Sequence, residues 1–294
     1  MMVYLYCMPS ELASILFLLD DPDPVVQEAV QAYVGRYDGD MSAALAEENA
    51  SLTAQERSIL TQYTLPARRK QLLESWMMPT RFLHSQSQDW ETFEFLLSLL
   101  SDYLHDGVSP RSNISDALDE LADEVEHAGR ASTSRDLAAY LFKSDCFMGN
   151  KLQYYAAQNS NIGWVLESRI GNPISLVIIY MLVSQRVGLP VYGCNYPGHF
   201  LAWVEDHQEP YLVDCYMKGR ELNPKQLLRQ NAQLSQAARH ALHGPCDLSA
   251  IVQRVLNNIM SAFAKDAHYA KELPWIQQLV RSLAVSPGHS GSLS

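Results

Sequence analysis

The 294 residues are 47% hydrophobic and carry a formal charge of −11, enough apolar material for one large domain or two packed ones. That acidic balance argues against a nucleic-acid partner, which needs clustered Lys and Arg; the longest basic run, Arg68-Arg69-Lys70, reads as a solvated helix face. The five cysteines, Cys7, Cys146, Cys194, Cys215 and Cys246, have no CxxC pair and no ligand spacing, so they read as free thiols in a reducing compartment and imply no metal.

The apolar stretch Ile15 to Leu19 has no basic flank or small-residue cleavage site, and Asp20 and Asp21 follow at once. No apolar run approaches the ~20 residues that span a bilayer, so the expectation is a cytoplasmic protein with no membrane partner. Residues 9 to 104 read as short helices. Leu12, Ile15, Leu16 and Leu19 make one stripe, and the DDPDP turn opens the next helix, with Val25, Val26, Ala29, Val30 and Tyr33 inward. Thr53 and Glu56 make a capping box, and Pro66 and Pro79 mark breaks. The helix-turn-helix rhythm resembles a HEAT-type pair.

Trp90 to Tyr103 reads as a strongly apolar helix. After a loop at His105 to Ile114, Ser115 to His127 reads as a helix with Glu120, Asp123, Glu124 and Glu126 on its solvated face. Thr133 and Asp136 cap a helix to Leu141 or Phe142. The run NSNIGWVLESRIG is another helix, capped by Asn159 or Ser160. Asn159 could instead offer its amide to a developing oxyanion.

From Gly171 to Tyr216 the chain reads GNPISLVIIYMLVSQRVGLPVYGCNYPGHFLAWVEDHQEPYLVDCY. Asn172 as N-cap and Pro173 at the first helical position open an almost wholly apolar helix to Val187, stopped by Gly188 and Pro190. A helix apolar nearly all round belongs at the centre of a domain. From Val191 the period changes to two, and a second strand runs from Tyr211 to Tyr216. A four-residue loop, Glu205 to Gln208, would put His199 directly opposite Asp214. An aspartate there can orient the imidazole of a general base, or the pair can simply fix strand register.

Buried helix, histidine strand and aspartate strand follow one another in the order of the transglutaminase-like superfamily, in which a nucleophilic cysteine opens the central helix. Counted back from Gly188-Leu189-Pro190, that position falls at or very near Pro173, and proline is no nucleophile. The chain resembles the bacterial transglutaminase-like family named after the SirB invasion regulator. The matching pieces are LFKSDCFMGN (141–150), YYAAQNSNIGWVLESRIGNPISL (154–176), GLPVYGCNYPGHFL (188–201) and YLVDCYMKGREL (211–222). The resemblance covers roughly the middle third of the chain and implies helical flanking regions, the C-terminal one tetratricopeptide-like. It implies no settled activity.

Beyond the core, Asn223-Pro224 restarts helix, Leu227 to His243 is a polar connector or exposed helix, and Leu248 to Phe263 is clearly amphipathic. A helix from Ala267 to Leu283 is interrupted at Pro274, giving at most one tetratricopeptide unit, and Pro287 to Ser294 reads as a disordered tail. The expectation is therefore an α+β, mostly helical fold. A helical region (1–104) precedes a papain/transglutaminase-like core (105–222), a helical region (223–286) and a tail (287–294). The functional reading is a non-catalytic module binding a protein or peptide through a pocket lined by Tyr154, Asn159, Ser175 and Tyr196, with no cofactor. The alternative is an amide-bond hydrolase or acyl transferase using His199 and Asp214 with Ser175 or Cys194 as nucleophile. A third reading is a helical-repeat scaffold.

Overall fold

The computed structural model describes residues 10–83, 88–231, 233–267 and 269–284. Cys7 and the tail from Pro287 lie outside the described residues. The chain is α+β and mostly helical, and it divides into two compact units.

The first unit comprises the described residues up to Ser75 together with Asp102–Arg111. Its helices are α1 (Glu11–Phe17), α2 (Pro24–Val34), α3 (Ser42–Glu47) and α4 (Ala54–Ser75). Local chemistry sets their starts. Asp23 accepts from the Val25 N–H ahead of Pro24, and Thr53 and Glu56 close a reciprocal capping box with bonds of 2.7 and 3.2 Å. Leu12, Val30, Val34, Met41, Leu45 and Leu60 form the apolar centre.

Three expectations fail in this unit. Val25 and Ala29 of α2 are exposed rather than inward, and Val30, Tyr33 and Val34 make its buried face. Pro66 does not break the chain but lies inside the 22-residue α4, although a proline there removes a donor and crowds the preceding turn. The turn before it also carries side-chain bonds, Thr64 Oγ1 donating to Leu60 O at 2.9 Å and Arg68 Nη2 to Thr61 O at 2.9 Å, while the carbonyl that loses its donor to the proline is that of Gln62. Arg68 is also not on a solvated face. It is 5% exposed, and its Nη1 donates to the carbonyls of Tyr103, at 2.8 Å, and His105. The returning segment packs closely at Gly107 (φ +73°), where an added Cβ would lie 2.5 Å from Gly39 O.

The second unit comprises Trp76–Ser101 and the described residues from Ser112 onward. Its first helices are α5 (Thr80–Leu83), α6 (Trp90–Leu104, whose last residues belong to the first unit), α7 (Ile114–His127), α8 (Ser134–Ala138) and α9 (Ile162–Ser168). Next come α10 (Pro173–Arg186), α11 (Pro224–Gln230), α12 (Gln236–Ala241), α13 (Leu248–Phe263) and α14 (Leu273–Ala284). A π turn, Ala139–Lys143, continues α8. Pro274 stands in the first turn of α14 rather than interrupting a longer helix, a position where its missing N–H costs nothing.

The centre of this unit is α10, buried at every residue from Pro173 to Ser184. It packs against α7, α8 and α9 and against the sheet. Tyr180 keeps its hydroxyl in this apolar setting by donating to Ser134 O at 2.6 Å. Arg186, where the helix leaves the core, holds both Glu94 carboxylate oxygens at 2.9 Å.

A two-residue parallel pair, β1 (Met148–Gly149) with β2 (Ile170–Gly171), precedes α10. The main sheet is antiparallel, in the order β3 (Val191–Cys194), β4 (Leu201–Val204), β5 (Tyr211–Asp214) and β6 (Arg220–Leu222). Cys194, Leu201, Trp203 and Leu212 form one buried cluster with Leu242 of the connector after α12. The register departs from expectation. Val204 pairs with Tyr211 and Trp203 with Leu212, so the connection is Glu205–Pro210 and the strands sit two residues from the pairing that would set His199 opposite Asp214.

Candidate functional site

His199 lies outside β4, on the turn that leads into it, where Gly198 takes φ +78°. From there its Nε2 reaches Asp214 Oδ1 at 2.8 Å across the end of β5. The expected His–Asp pair thus forms, though diagonally, and a turn rather than strand register brings it about. The same Oδ1 accepts from the Met217 N–H at 3.0 Å, which fixes the buried carboxylate. With Nε2 committed to Asp214, Nδ1 is the nitrogen left open; among the described residues it has no hydrogen-bond partner. The imidazole stands edge-on to Tyr216, at 6.2 Å between centroids, and Tyr216 stands likewise to Tyr154 at 5.9 Å. Tyr216 donates to Asn150 O at 3.1 Å, and burial raises its phenol pKa.

A cleft of about 290 Å³ lies between the start of α10, the Tyr154–Ser160 segment, Gly198 and Phe200, and α13; the two neighbours of His199 line it, whereas His199 and Asp214 themselves are not among its lining residues. Pro173 is on its wall, together with Asn172 and Ile174. Of the four side chains expected to line a pocket, Tyr154 does so. The other three are engaged elsewhere. Asn159 is fully buried: its Nδ2 donates to the carbonyls of Gln153 and Tyr154, and its Oδ1 accepts from Asn150. It is neither the helix cap nor an open amide, and the cap of α9 is Asn161, which accepts from the Trp164 N–H at 2.9 Å. Tyr196 packs against the Cys194 cluster.

Ser175 is 1% exposed and part of the α10 capping box. Its Oγ accepts from the Asn172 N–H and donates to Asn172 O, at 3.0 and 3.1 Å. Cys194 is fully buried, donates to Ala241 O, and its thiol pKa is pushed up to about 12 by burial, far from the thiolate a nucleophile requires. Burial likewise raises the thiols of Cys146, Cys215 and Cys246, the last to about 12. Among the described residues no cluster of His, Cys, Asp or Glu could hold a metal, and no helix is long and apolar enough to cross a membrane.

Residues 112–257 match the family model described as the transglutaminase-like superfamily, and that span contains α10, the sheet, His199 and Asp214. This half of the chain is a transglutaminase-like superfamily domain. A UPF0162 protein of Xylella fastidiosa is 34% identical over 132 residues, covering 42% of this chain and 47% of that protein. A UPF0162 protein of Vibrio cholerae is 27% identical over 122 residues, covering 39% and 44%. F-box only protein 21 of Mus musculus is 31% identical over 123 residues, covering 39% of this chain and 19% of its own length. The chain therefore spans about half the length of the curated UPF0162 relatives it matches. No solved structure matches the chain. Sequence reasoning missed Arg254, Asn258 and Ser261 of the transglutaminase-like cleft, which lie on α13, more than fifty residues beyond His199. Their only signal was position on the polar side of an amphipathic helix, which by itself says nothing about a cleft.

Proposed function

We propose that the transglutaminase-like domain is a non-catalytic member of the SirB type that works in the cytoplasm as a protein- or peptide-binding module. One observation carries the reading: Pro173, at the first position of α10 and on the cleft wall, stands where the superfamily resemblance expects the nucleophile. Proline offers no nucleophilic atom. Ser175 and Cys194 do not substitute for it, since one hydroxyl is consumed by the helix cap and the other side chain is a buried neutral thiol. The cleft of about 290 Å³, with Tyr154 and Tyr155 on its wall, offers room for part of a peptide.

The retained His199–Asp214 pair, with Nδ1 open, favours the rival reading of an amide-bond hydrolase or acyl transferase. Labelling separates the two. The purified protein is treated with electrophiles for activated Ser and Cys, with peptide mapping and a His199→Ala control. The module reading expects no label that depends on His199. Stoichiometric labelling of any residue, Cys146 included, that disappears in His199→Ala overturns it. Pro173→Cys supplies the positive control, because a thiol in the first turn of α10 gains thiolate character from the helix N-terminus and becomes the fast-labelling site.

A further inference from the structure

The walls of the cleft carry hydrogen-bond donors that the protein itself leaves unused. Asn172 is 6% exposed; its Oδ1 accepts from the Ser175 N–H, while its Nδ2 has no partner among the described residues. Ser160, 4% exposed on the same cleft, also has an unpartnered hydroxyl among the described residues. Both residues are more than nine-tenths buried, yet these two donor atoms keep contact with solvent, so a ligand in the cleft can take them up in place of water. Next to them is the Ile174 N–H. It is the first amide of the 14-residue α10 because Pro173 has none, and so near the helix start it finds no acceptor in the preceding turn.

The charge of the cleft is opposite to that of the chain. In a protein of net charge −11, no acidic side chain lines it among the described residues. Two other clefts of the unit contrast with it: one is lined by Glu120, Glu124 and Glu167, the other by Asp206, Glu209 and Glu221. The cation here is Arg254 of α13. It donates from Nη1 to the neutral Asn195 Oδ1 at 2.9 Å and has no carboxylate partner among the described residues, so its remaining donors are available. An Arg fork, an amide NH₂, a hydroxyl and a helix N-terminus are the donors that recognise a carboxylate. Tyr154 and Tyr155, edge-on at 5.0 Å and both exposed, adjoin these donors, with the Lys265 ammonium 3.4 Å from the Tyr155 ring centroid.

We propose that this cleft binds the free C-terminal carboxylate of a peptide chain, with Asn172, Ser160, the Ile174 N–H and Arg254 around the carboxylate and the tyrosines against the preceding side chains. The inference rests on the module reading and deepens it.

The test uses the full chain and three fluorescent hexapeptide pools of random sequence: one with a free C-terminal acid, one amidated, and one amidated after a terminal phosphoserine. The acid pool is expected to bind at least tenfold more tightly than the amidated pool and the phosphoserine pool. Asn172→Asp retains a good helix cap while facing the ligand with a carboxylate, so it is expected to abolish the preference without loss of fold, and Arg254→Gln to reduce it. Equal binding of acid and amide pools overturns the inference while leaving the module reading intact. Equal or tighter binding of the phosphoserine pool assigns the site to anions generally and overturns the C-terminal assignment. Binding of no pool, or an acid preference that survives in Asn172→Asp, overturns the inference as well. The module reading falls separately, through His199-dependent labelling.

Discussion

The two compact units are held together by different means. The second is organised around α10, a helix whose residues Pro173 to Ser184 are all buried and whose stability comes from apolar packing on every side. The first also has an apolar centre, but its returning segment, Asp102–Arg111, is fastened by polar groups: Arg68 on the carbonyls of Tyr103 and His105, and Asp106 in a turn with Ser109 and Arg57. Apolar packing is insensitive to pH and intolerant of lost volume, whereas a polar fastener tolerates volume change and fails when charge or a donor is removed. The same chain therefore contains two kinds of stability that respond to different perturbations.

The largest expected effect breaks the apolar side. Ile178→Ala, at a fully buried position of α10, should cost about 2–5 kcal/mol through lost burial and a residual cavity. Urea unfolding followed by probes in each unit should show the second-unit transition moving to lower denaturant; coincident movement of both transitions would mean that the two unfold as one.

Next, Arg68→Met keeps much of the side-chain volume but removes the guanidinium bonds to the carbonyls of Tyr103 and His105 and one of the donors to Thr61 O. A loss of about 3 kcal/mol, confined to the first-unit transition, is expected from hydrogen bonds to a charged group. An equal loss in Arg68→Lys would sharpen the point, because the planar fork and not the charge makes these bonds.

The pH dependence lies on the same side of the comparison. Burial alone would raise the Asp106 pKa, but hydrogen bonds from Ser109 and from the Val108 and Ser109 N–H groups outweigh it and hold the carboxyl at about 2. A depressed value means that the folded state favours the carboxylate. Its contribution, about 2 kcal/mol at most, is present above the unfolded pKa near 4 and is lost as pH falls through about 2. Asp106→Asn should flatten that acid limb in thermal melts of the first unit without affecting the second.

The smallest effect is expected at the candidate site. His199→Ala removes one hydrogen bond from a partly exposed ring, and Asp214 keeps the Met217 N–H, so stability should change by about 1 kcal/mol or less. A loss above about 3 kcal/mol in chemical denaturation would recast the pair as a structural clamp.

The same contrast governs what could be read from the chain. The bounds of α10, with its Asn172 cap and its stop at Gly188, and the inward face of α13 were legible because caps and apolar periodicity are written within a few consecutive residues. The failures arose where distant groups intervene. Arg68 looks like one of three surface cations until the Tyr103 and His105 carbonyls arrive, and Pro66 looks like a breaker although α4 runs through it. The sequence offered Asn159 or Ser160 as the cap of α9, whereas Asn161 is the cap and contacts with Gln153, Tyr154 and Asn150 use Asn159 elsewhere.

By itself the sequence determined that a buried helix opens with Asn172 and Pro173 and is followed by a histidine and an aspartate on later segments, since local propensity and period suffice for that. It also put a proline where the superfamily resemblance expects a nucleophile. Only the tertiary structure decided that His199 meets Asp214 diagonally from a turn, that Ser175 spends its hydroxyl on a cap, and that α13 brings Arg254 to the cleft with Asn172 and Ser160. Hairpin register and long-range helix packing depend on which surfaces are buried together, and no local pattern encodes that choice.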